Sequence, residues 1–396
     1  MDITAKNLEK ALQDKAFTLH YQPKINFLTG RVSGAEALVR WDMLEKGLVP
    51  PDVFIPLAEE TGLITEITAQ LIPIAIQSIQ TLKANGFEGS IAVNTSPMDF
   101  GSDGILQLIQ SALDNRQITP DDLQIELTET ATLKNKDSII GRLNDLTAMG
   151  LKLVMDDFGT GYSSIDLLSQ LPFSALKIDQ GVIGRMSQST KNLNLVNMII
   201  NMARTLRMHV VAEGIEDHHA YRFLAYAGCM EAQGYWISKP LPFDAFQTFV
   251  GAKPQYPSSH LGMIYHAHLN NVYFRKSVLD AVLYANCGIK EDMASVTRPD
   301  IYFKPEKTRL GQWYFGAGQE LSNRTHFKAI EAPHRKMHEL GERLFMTERD
   351  DTGQLILEFN QAFEQVNQSL HLLEAELIAE EPCRIWHGQG IEGRAS

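Results

Sequence analysis

The sequence predicts an α/β chain: a TIM-like (β/α)8 barrel followed by an all-α four-helix bundle. Three observations carry that expectation. Strand-like and helix-like patterns alternate from about residue 15 to about residue 245, the signature of a repeated βα unit. Eight strand-like runs fit into that stretch, and each delivers a polar or charged residue. Beyond Gly251 to Ser259, a segment with Pro254, Pro257 and two serines, only helical periodicity remains.

The strand candidates are Thr18 to Pro23, Ser33 to Trp41, Ser90 to Thr95, Leu123 to Glu126, Lys152 to Asp156, Ala175 to Asp179, Val210 to Glu213 and Ala232 to Ile237. Helical stretches lie between them at Leu63 to Ala84, Gly104 to Asn115, Ser138 to Met149, Lys191 to Leu206 and Ala220 to Ala227. The bundle helices are His260 to Ala285, Leu310 to Ser322, Arg335 to Phe345 and Thr352 to Ile378, joined by segments holding Pro299, Pro305 and Pro333. The expected limits are 1–250 for the barrel, 251–262 for a linker, 263–381 for the bundle and 382–396 for a tail. That tail contains Ile391-Glu392-Gly393-Arg394, the recognition sequence of a protease used to remove tags, so residues 391–396 are set aside as a scar.

Composition bounds the function. A chain of 396 residues with 44% hydrophobic and 21% charged residues is expected to be a soluble protein of two domains. No apolar run reaches the roughly 18 to 20 residues of a membrane helix. The N-terminus lacks a basic region followed by an apolar core, which points to the cytoplasm. Cys229, Cys287 and Cys383 are an odd number without short spacing, which argues against a disulfide framework and fits a reducing compartment. A net charge of -12 offers no broad basic surface to a nucleic-acid polymer, so a phosphate ligand must be attracted by local metals or a few cations.

A barrel of parallel strands collects their C-terminal ends on one face. Gln22, Glu36, Asn94, Glu126, Asp156 with Asp157, Lys177 with Asp179, Glu213 and Gln233 should therefore converge. So many carboxylates at one mouth repel one another, and divalent cations are the best explanation of their company. Glu126 suits a ligand role, while Glu129, expected in the following loop, suits holding that loop. The adjacent Asp156 and Asp157 could each serve one ion of a pair, with glycines turning the loop beside them. Two metals about 3.5–4 Å apart would clamp a phosphoryl transfer and lower the pKa of a bound water, with Lys177 orienting that water. An all-oxygen donor set selects Mg²⁺ or Mn²⁺ over Zn²⁺.

Each residue taken singly also fits a blander role. A lone strand-end glutamate is usually solvated or paired with a base, and Asn94 or Gln233 alone would more often be a hydrogen-bonding cap. Asp156-Asp157-Phe158-Gly159 contains the Asp-Phe-Gly of kinases, yet the glycine-rich nucleotide loop and the His-Arg-Asp context are missing. The conjunction of residues carries the inference.

Glu36-Ala37-Leu38-Val39-Arg40-Trp41, together with Asp156 to Ser164, resembles the EAL family of cyclic-di-GMP phosphodiesterases over about residues 8 to 250. Further signatures occur in order: Tyr21-Gln22-Pro23, Val93-Asn94, Glu126 to Glu129, Leu176 to Asp179, Ala212-Glu213-Gly214, and Gln233-Gly234-Tyr235 before Lys239-Pro240-Leu241. The resemblance implies hydrolysis of cyclic di-GMP to linear pGpG. It implies that Glu36, Asn94, Glu126 and Asp156 hold one metal, Asp157 helps to hold a second, and Glu213 and Gln233 complete the cluster. Lys177 would contact the nucleophilic water; Gln22, Leu38 and Arg40 would contact the dinucleotide, with the guanidinium on a phosphate. Glu129 would steady the loop after the paired aspartates, a loop that lies at a dimer contact in the family, so a homodimer is expected. The alternative is a catalytically silent cyclic-di-GMP receptor or protein-interaction module, since many relatives of this fold have lost catalysis.

In the bundle, His334 and His338 sit at i and i+4 on an expected helix, where their rings share a face. Two such histidines are commonly surface or core residues. His268 on an earlier helix and Gly311-Gln312-Trp313-Tyr314 give the pair a context that resembles the CZB family of small zinc-binding helical domains, over about residues 263 to 378. That resemblance implies Zn²⁺ on His268, His334 and His338 with a cysteine three residues before the glycine of the Gly-x-Trp motif. Thr308 stands there instead. A hydroxyl is a poor zinc ligand beside a thiolate, so the site should be weakened or completed by water or Glu306, and its redox sensitivity lost. His266, two residues from His268, would point to another helix face. The expectation for the whole is a phosphodiesterase barrel regulated by this bundle.

Overall fold

The structure, a computed structural model, describes residues 3–43, 47–159, 168, 170–286, 304–346 and 352–380. The chain divides into two units, Met1–Ser258 and Ser259–Ser396. The segment Thr160 to Ser164, the His266 side chain, Pro299, Cys287, Cys383 and the tail 382–396 lie outside the described residues.

In the first unit the strands are β1 Phe17–Asn26, β2 Val32–Met43, β3 Gly47–Val49, β4 Ser90–Asn94, β5 Leu123–Thr128, β6 Lys152–Phe158, β7 Ala175–Ile178, β8 His209–Ala212, β9 Glu231–Ala232 and β10 Leu241–Pro242. Eight of them close a ring in the order β1-β9-β8-β7-β6-β5-β4-β2 and back to β1. From β2 round to β9 each neighbour is parallel. Helices cover the outside of the ring, so a strand such as β6 is buried on both faces over residues 153–155 and reads there as an apolar run. The helix Ile64–Ala84 buries Ile67, Leu71, Ala75, Ile79 and Leu82, a stripe at helical spacing that faces the core.

One strand departs from the expected all-parallel ring. β1 runs antiparallel to both β2 and β9, because only a short turn at residues 27–31 joins it to β2. A parallel connection would need a dozen or more residues. Gly30 makes that turn at φ 64°, where an added Cβ would lie 2.1 Å from the Tyr256 carbonyl oxygen. β3 and β10 pair with β2 and β1 respectively, outside the ring.

β9 is shorter than the run Ala232 to Ile237 that the sequence suggested. After Ala232 the chain turns over Ile215, whose amide donates to the Gln233 carbonyl at 3.1 Å and whose carbonyl accepts from the Trp236 amide at 2.9 Å. Gly234 lies so close there that a Cβ would sit 2.2 Å from the Ile215 nitrogen. Glu129 is likewise not in a loop: it is the first residue of the helix Glu129–Ala148, which starts directly after β5.

The second unit is helical. His260–Asn286, Glu331–Met346 and Thr352–Glu380 are long and share a core of Val278, Val282, Met337, Leu340, Phe359 and Phe363. The fourth helix is only Arg309–Phe315, where the sequence suggested Leu310 to Ser322. Gly316 breaks it at φ -108° and ψ -117°, and a 3-10 turn over Ala317–Leu321 follows. Trp313 and Tyr314 anchor this short helix on Phe327, with ring centroids 5.4 and 4.4 Å away.

Leu153, the second residue of β6, is fully buried. Leu153→Ala should therefore cost the barrel about 2–5 kcal/mol, the range for a buried cavity. Chemical denaturation of the full chain, followed through the barrel's own transition, reads this directly.

Candidate active site at the mouth of the barrel

Strand register brings the predicted residues together. Gln22 on β1 pairs with Glu36 on β2, Asn94 on β4 pairs with Glu126 on β5, and Lys177 on β7 stands beside Val211 on β8, two residues before Glu213. Gln22 thus reaches the site through cross-strand register on a reversed strand, without being a C-terminal strand residue. Leu38 and Arg40 share the face of Glu36, because alternate residues of a strand point the same way. Both line the wall of a cavity of about 530 Å³ with Gln22, Glu36, Asn94, Lys177 and Glu213.

The aspartates need a special device, since adjacent strand residues face opposite sides. The pairing of β6 with β7 shifts between Met155 and Phe158, a bulge that re-aims the strand. Asp157 sits at φ 57°, the left-handed region that asparagine and aspartate visit most readily after glycine. Its amide donates to Asp156 Oδ1 at 2.8 Å. Both carboxylates consequently reach Glu213, with ligand oxygens of the three within 4.8 Å of one another. Glu36, Glu126 and Asp156 form a second such group.

Lys177 is 1% exposed and its ammonium lies among these acids. It is 2.6 Å from Glu213 Oε1, 2.7 Å from Glu126 Oε2, 3.1 Å from Glu36 Oε2 and 3.1 Å from Asp156 Oδ1. Burial acts to lower its pKa, but Asp156, Glu126, Glu213 and Glu36 outweigh burial and hold it well above the usual lysine value. The amides complete the ring: Asn94 Nδ2 donates to Glu36 Oε1 at 2.6 Å, and Gln233 Nε2 donates to Glu36 Oε2 at 2.6 Å and to Gln22 Oε1 at 3.0 Å.

These partners sort the acids. Burial raises the Glu36 carboxyl, yet Lys177, Lys24, Gln233 and Asn94 together pull it down to about 2. Burial wins at Glu126, Asp156, Asp157 and most strongly at Glu213, all of which are raised although Lys177 opposes the shift. Burial is the larger cause, and a surplus of acid adds to it. Five carboxylates face two ammonium groups, Lys177 and Lys24, so the acids lower one another's readiness to ionise. Two groups of hard oxygen donors, sharing Asp156, are the donor set that suits a pair of divalent cations.

The remaining predicted residues also have places. Glu129 Oε2 accepts from the Gly159 amide at 3.3 Å, so it holds the start of the loop after Asp157. Asp179 is a helix cap, accepting from the Gly181 amide at 2.9 Å. Lys24 was missed in the sequence, although a lone lysine between Pro23 and Ile25 in an apolar strand was a signal. It is 2% exposed, and its Nζ is 2.8 Å from Glu126 Oε1. Glu59, whose Oε1 accepts from Ser96 Oγ at 2.8 Å, lines the same cavity and was also missed.

In the second unit His334 and His338 are 4% and 2% exposed, with their Nε2 atoms 3.2 Å apart. Burial, aided by His338 and Arg335, depresses His334 to about 3, so it is a neutral imidazole with a lone pair to offer. Two imidazoles at that spacing fit two corners of a tetrahedral zinc, given bonds of about 2.0–2.1 Å. The other expected ligands have partners of their own, except His268 Nε2, which makes no hydrogen bond among the described residues. His268 Nε2 faces Glu374 at 3.9 Å, and Glu306 pairs with Arg335. Thr308 Oγ1 lies 3.5 Å from His334 Nε2, but it donates to the Pro305 carbonyl at 2.7 Å and caps the next helix by accepting from the Gly311 amide at 2.9 Å. Among the described residues, no three acidic, histidine or cysteine ligand atoms within 4.8 Å of one another occur in this unit.

A family model described as the EAL domain matches residues 5–240, more than half of the chain. The chain belongs to the EAL domain family. A second model, the chemoreceptor zinc-binding domain, matches residues 288–345, which include Thr308, His334 and His338 but not His268. Among similar proteins is the bifunctional diguanylate cyclase/cyclic di-GMP phosphodiesterase MucR of Pseudomonas aeruginosa, 37% identical over 239 residues, which are 60% of this chain and 35% of MucR. Another is the cyclic di-GMP phosphodiesterase PdeR of Escherichia coli, 34% identical over 241 residues, 61% of this chain and 36% of PdeR. The chain thus spans about a third of the length of these relatives. A solved structure of the PaMucR phosphodiesterase in complex with c-di-GMP superposes with a TM-score of 0.58 at 36% identity, covering 61% of this chain and 98% of that one. Among the described residues no helix is long and apolar enough to cross a membrane.

Removing the central ammonium should expose the cost of the acid surplus. With divalent cations chelated, Lys177→Met is expected to destabilise the barrel by about 3–5 kcal/mol at neutral pH, as when one partner of a buried ion pair is deleted. The loss should shrink as pH falls, because the folded acids then bind more protons than the unfolded ones and folding gains from each. Denaturation curves at pH 7 and pH 5 test both magnitude and sign.

Proposed function

We propose that this chain hydrolyses one phosphodiester bond of cyclic di-GMP to give linear pGpG, with water activated between two divalent cations, Mg²⁺ or Mn²⁺. The observation that carries the reading is the gathering of Glu36, Glu126, Asp156, Asp157 and Glu213 as two oxygen groups at the mouth of one barrel. The activity in the names of MucR and PdeR, and the nucleotide in the PaMucR structure, support it.

In this proposal Glu36, Asn94, Glu126 and Asp156 hold one ion, and Asp157 and Glu213 serve the other beside Asp156. Bound there, the pair would polarise the phosphoryl oxygens and bring the acidity of a water toward neutrality. Lys177, whose ammonium already donates into the acid cluster, would orient that water. Arg40 would fork two phosphate oxygens, and Gln22, Leu38 and Gln233 would hold the dinucleotide beside it. The cavity's other wall, with Leu19, Ile55, Ile64, Ile67 and Leu71, offers an apolar bed for a guanine face. Glu129 would keep the aspartate loop in place through Gly159.

Product analysis with the full chain should show pGpG when Mg²⁺ or Mn²⁺ is present and none after chelation. Lys177→Met should lower kcat by about 10²–10⁴-fold, the usual contribution of a group that manages a proton in the transition state. Tight binding of cyclic di-GMP without turnover would instead make the chain a receptor.

For the second unit we propose Zn²⁺ bound weakly by His334 and His338 with His268 as third ligand, regulating the barrel through self-association as a cytoplasmic homodimer. Coupling of this kind is linkage between two sites. Added Zn²⁺ should shift both the sedimentation behaviour and the turnover at fixed Mg²⁺. If neither moves, the zinc reading is lost and the helices serve dimerisation or another role.

A further inference from the structure

Glu126 is the most enclosed acid of the cluster, with no exposed surface, and each of its polar groups is fixed by a neighbour. Its carbonyl accepts from the Thr95 amide at 2.9 Å and from Thr95 Oγ1 at 3.1 Å. Its two carboxylate oxygens are divided between two lysines, Oε1 to Lys24 at 2.8 Å and Oε2 to Lys177 at 2.7 Å. The lysines are not equivalent. Lys177 touches four acids of the group, whereas among the described residues Lys24 forms its ion pair with Glu126, on the oxygen not bound to Lys177. The backbone of Lys24 is held too, since its carbonyl accepts from Ser33 Oγ at 3.3 Å.

We propose that Lys24 is a positioning residue that makes Glu126 a one-oxygen ligand and thereby sets which divalent cation the barrel prefers. The inference rests on the metal reading of the cluster given above. Lys24 engages Oε1, whereas Oε2 shares Lys177 with Glu36, Asp156 and Glu213, so Oε2 is the oxygen that would face an ion among those acids, and Lys24 fixes the rotamer that aims it. Single-oxygen ligation suits Mg²⁺ and Mn²⁺, which favour octahedra of six well-placed ligands. Ca²⁺ accepts six to eight oxygens and favours bidentate carboxylates, the geometry that Lys24 denies to Glu126. Charge alone predicts the opposite result. A second ammonium near the ions repels them, so a Lys24 that acted only as a charge would weaken every cation, and its removal would tighten all of them.

Direct binding of Mn²⁺ and of Ca²⁺ to the full chain, by titration calorimetry without nucleotide, separates these cases. Lys24→Met should weaken Mn²⁺ by about 10–100-fold, the usual cost of losing a residue that orients a metal ligand. Ca²⁺ should weaken less or tighten, so the ratio of the two affinities narrows. Lys24→Arg, which keeps the charge but cannot place one nitrogen on Oε1 from the same stem, should narrow the ratio as well; it carries the test if Lys24→Met does not fold, as judged by thermal melting in chelator. Equal weakening of both cations would reduce Lys24 to a structural prop, tighter Mn²⁺ binding would reduce it to an opposing charge, and either overturns the proposal. Wild-type protein that binds Mn²⁺ but produces no pGpG would refute the proposed reaction and leave the Lys24 assignment standing.

Discussion

The first unit is organised around one electrostatic problem: a dense set of acids held out of water at the end of a barrel. Each ionised carboxylate there loses hydration, and its neighbours add repulsion. The fold answers with a buried ammonium in contact with four of them and a second beneath Glu126. The amides of Asn94 and Gln233 add to the two ammonium groups in keeping Glu36 ionised, while Glu213 is left as the acid raised furthest. A barrel solves the geometric half of the same problem. Parallel strands fix their ends at one level, so side chains remote in sequence meet without any flexible segment holding them.

Much of this was legible in the chain. Asn94, Glu126, Asp156 and Glu213 could be named from the sequence because each stands at or next to the end of an apolar run, and strand ends in a barrel have one address; Glu36, inside β2, and Gln233, just after β9, were legible from their motifs. The direction of β1 was not legible, because the apolar pattern of a strand is the same in either sense; the short turn to β2 was the only clue. Lys24 escaped for a related reason. Periodicity says which face a residue occupies, but not that a lysine on the inner face will find a carboxylate there. The bulge at Asp156 and Asp157 was hidden as well, since pairing register depends on the neighbouring strand and not on the strand itself.

The helical unit shows where local pattern fails. His334 and His338 meet because i and i+4 share a helix face, a rule the sequence alone satisfies. His268 is on another helix, and its position depends on how the helices rotate as they pack; in the structure it faces Glu374. Thr308 illustrates competition between roles, for a hydroxyl that caps a helix has spent its donor on Pro305 and one lone pair on Gly311. Gly316 shows that helical spacing can continue across a residue whose backbone has already left the helix.

The ring is closed by its thinnest stave. β9 is two residues long, and directly after it Gln233 reaches across to Glu36 and Gln22. The other contact between Gln22 and Glu36 belongs to a hairpin that the chain can make locally, but Gln233 arrives only when the two ends of the barrel sequence meet. Fraying of so short a strand is the low-energy way for such a ring to breathe. A seam that opens there would unhook an amide that, after Lys177 and Lys24, helps to keep Glu36 charged, so the integrity of the cylinder and the ionisation of its central acid share a hydrogen bond.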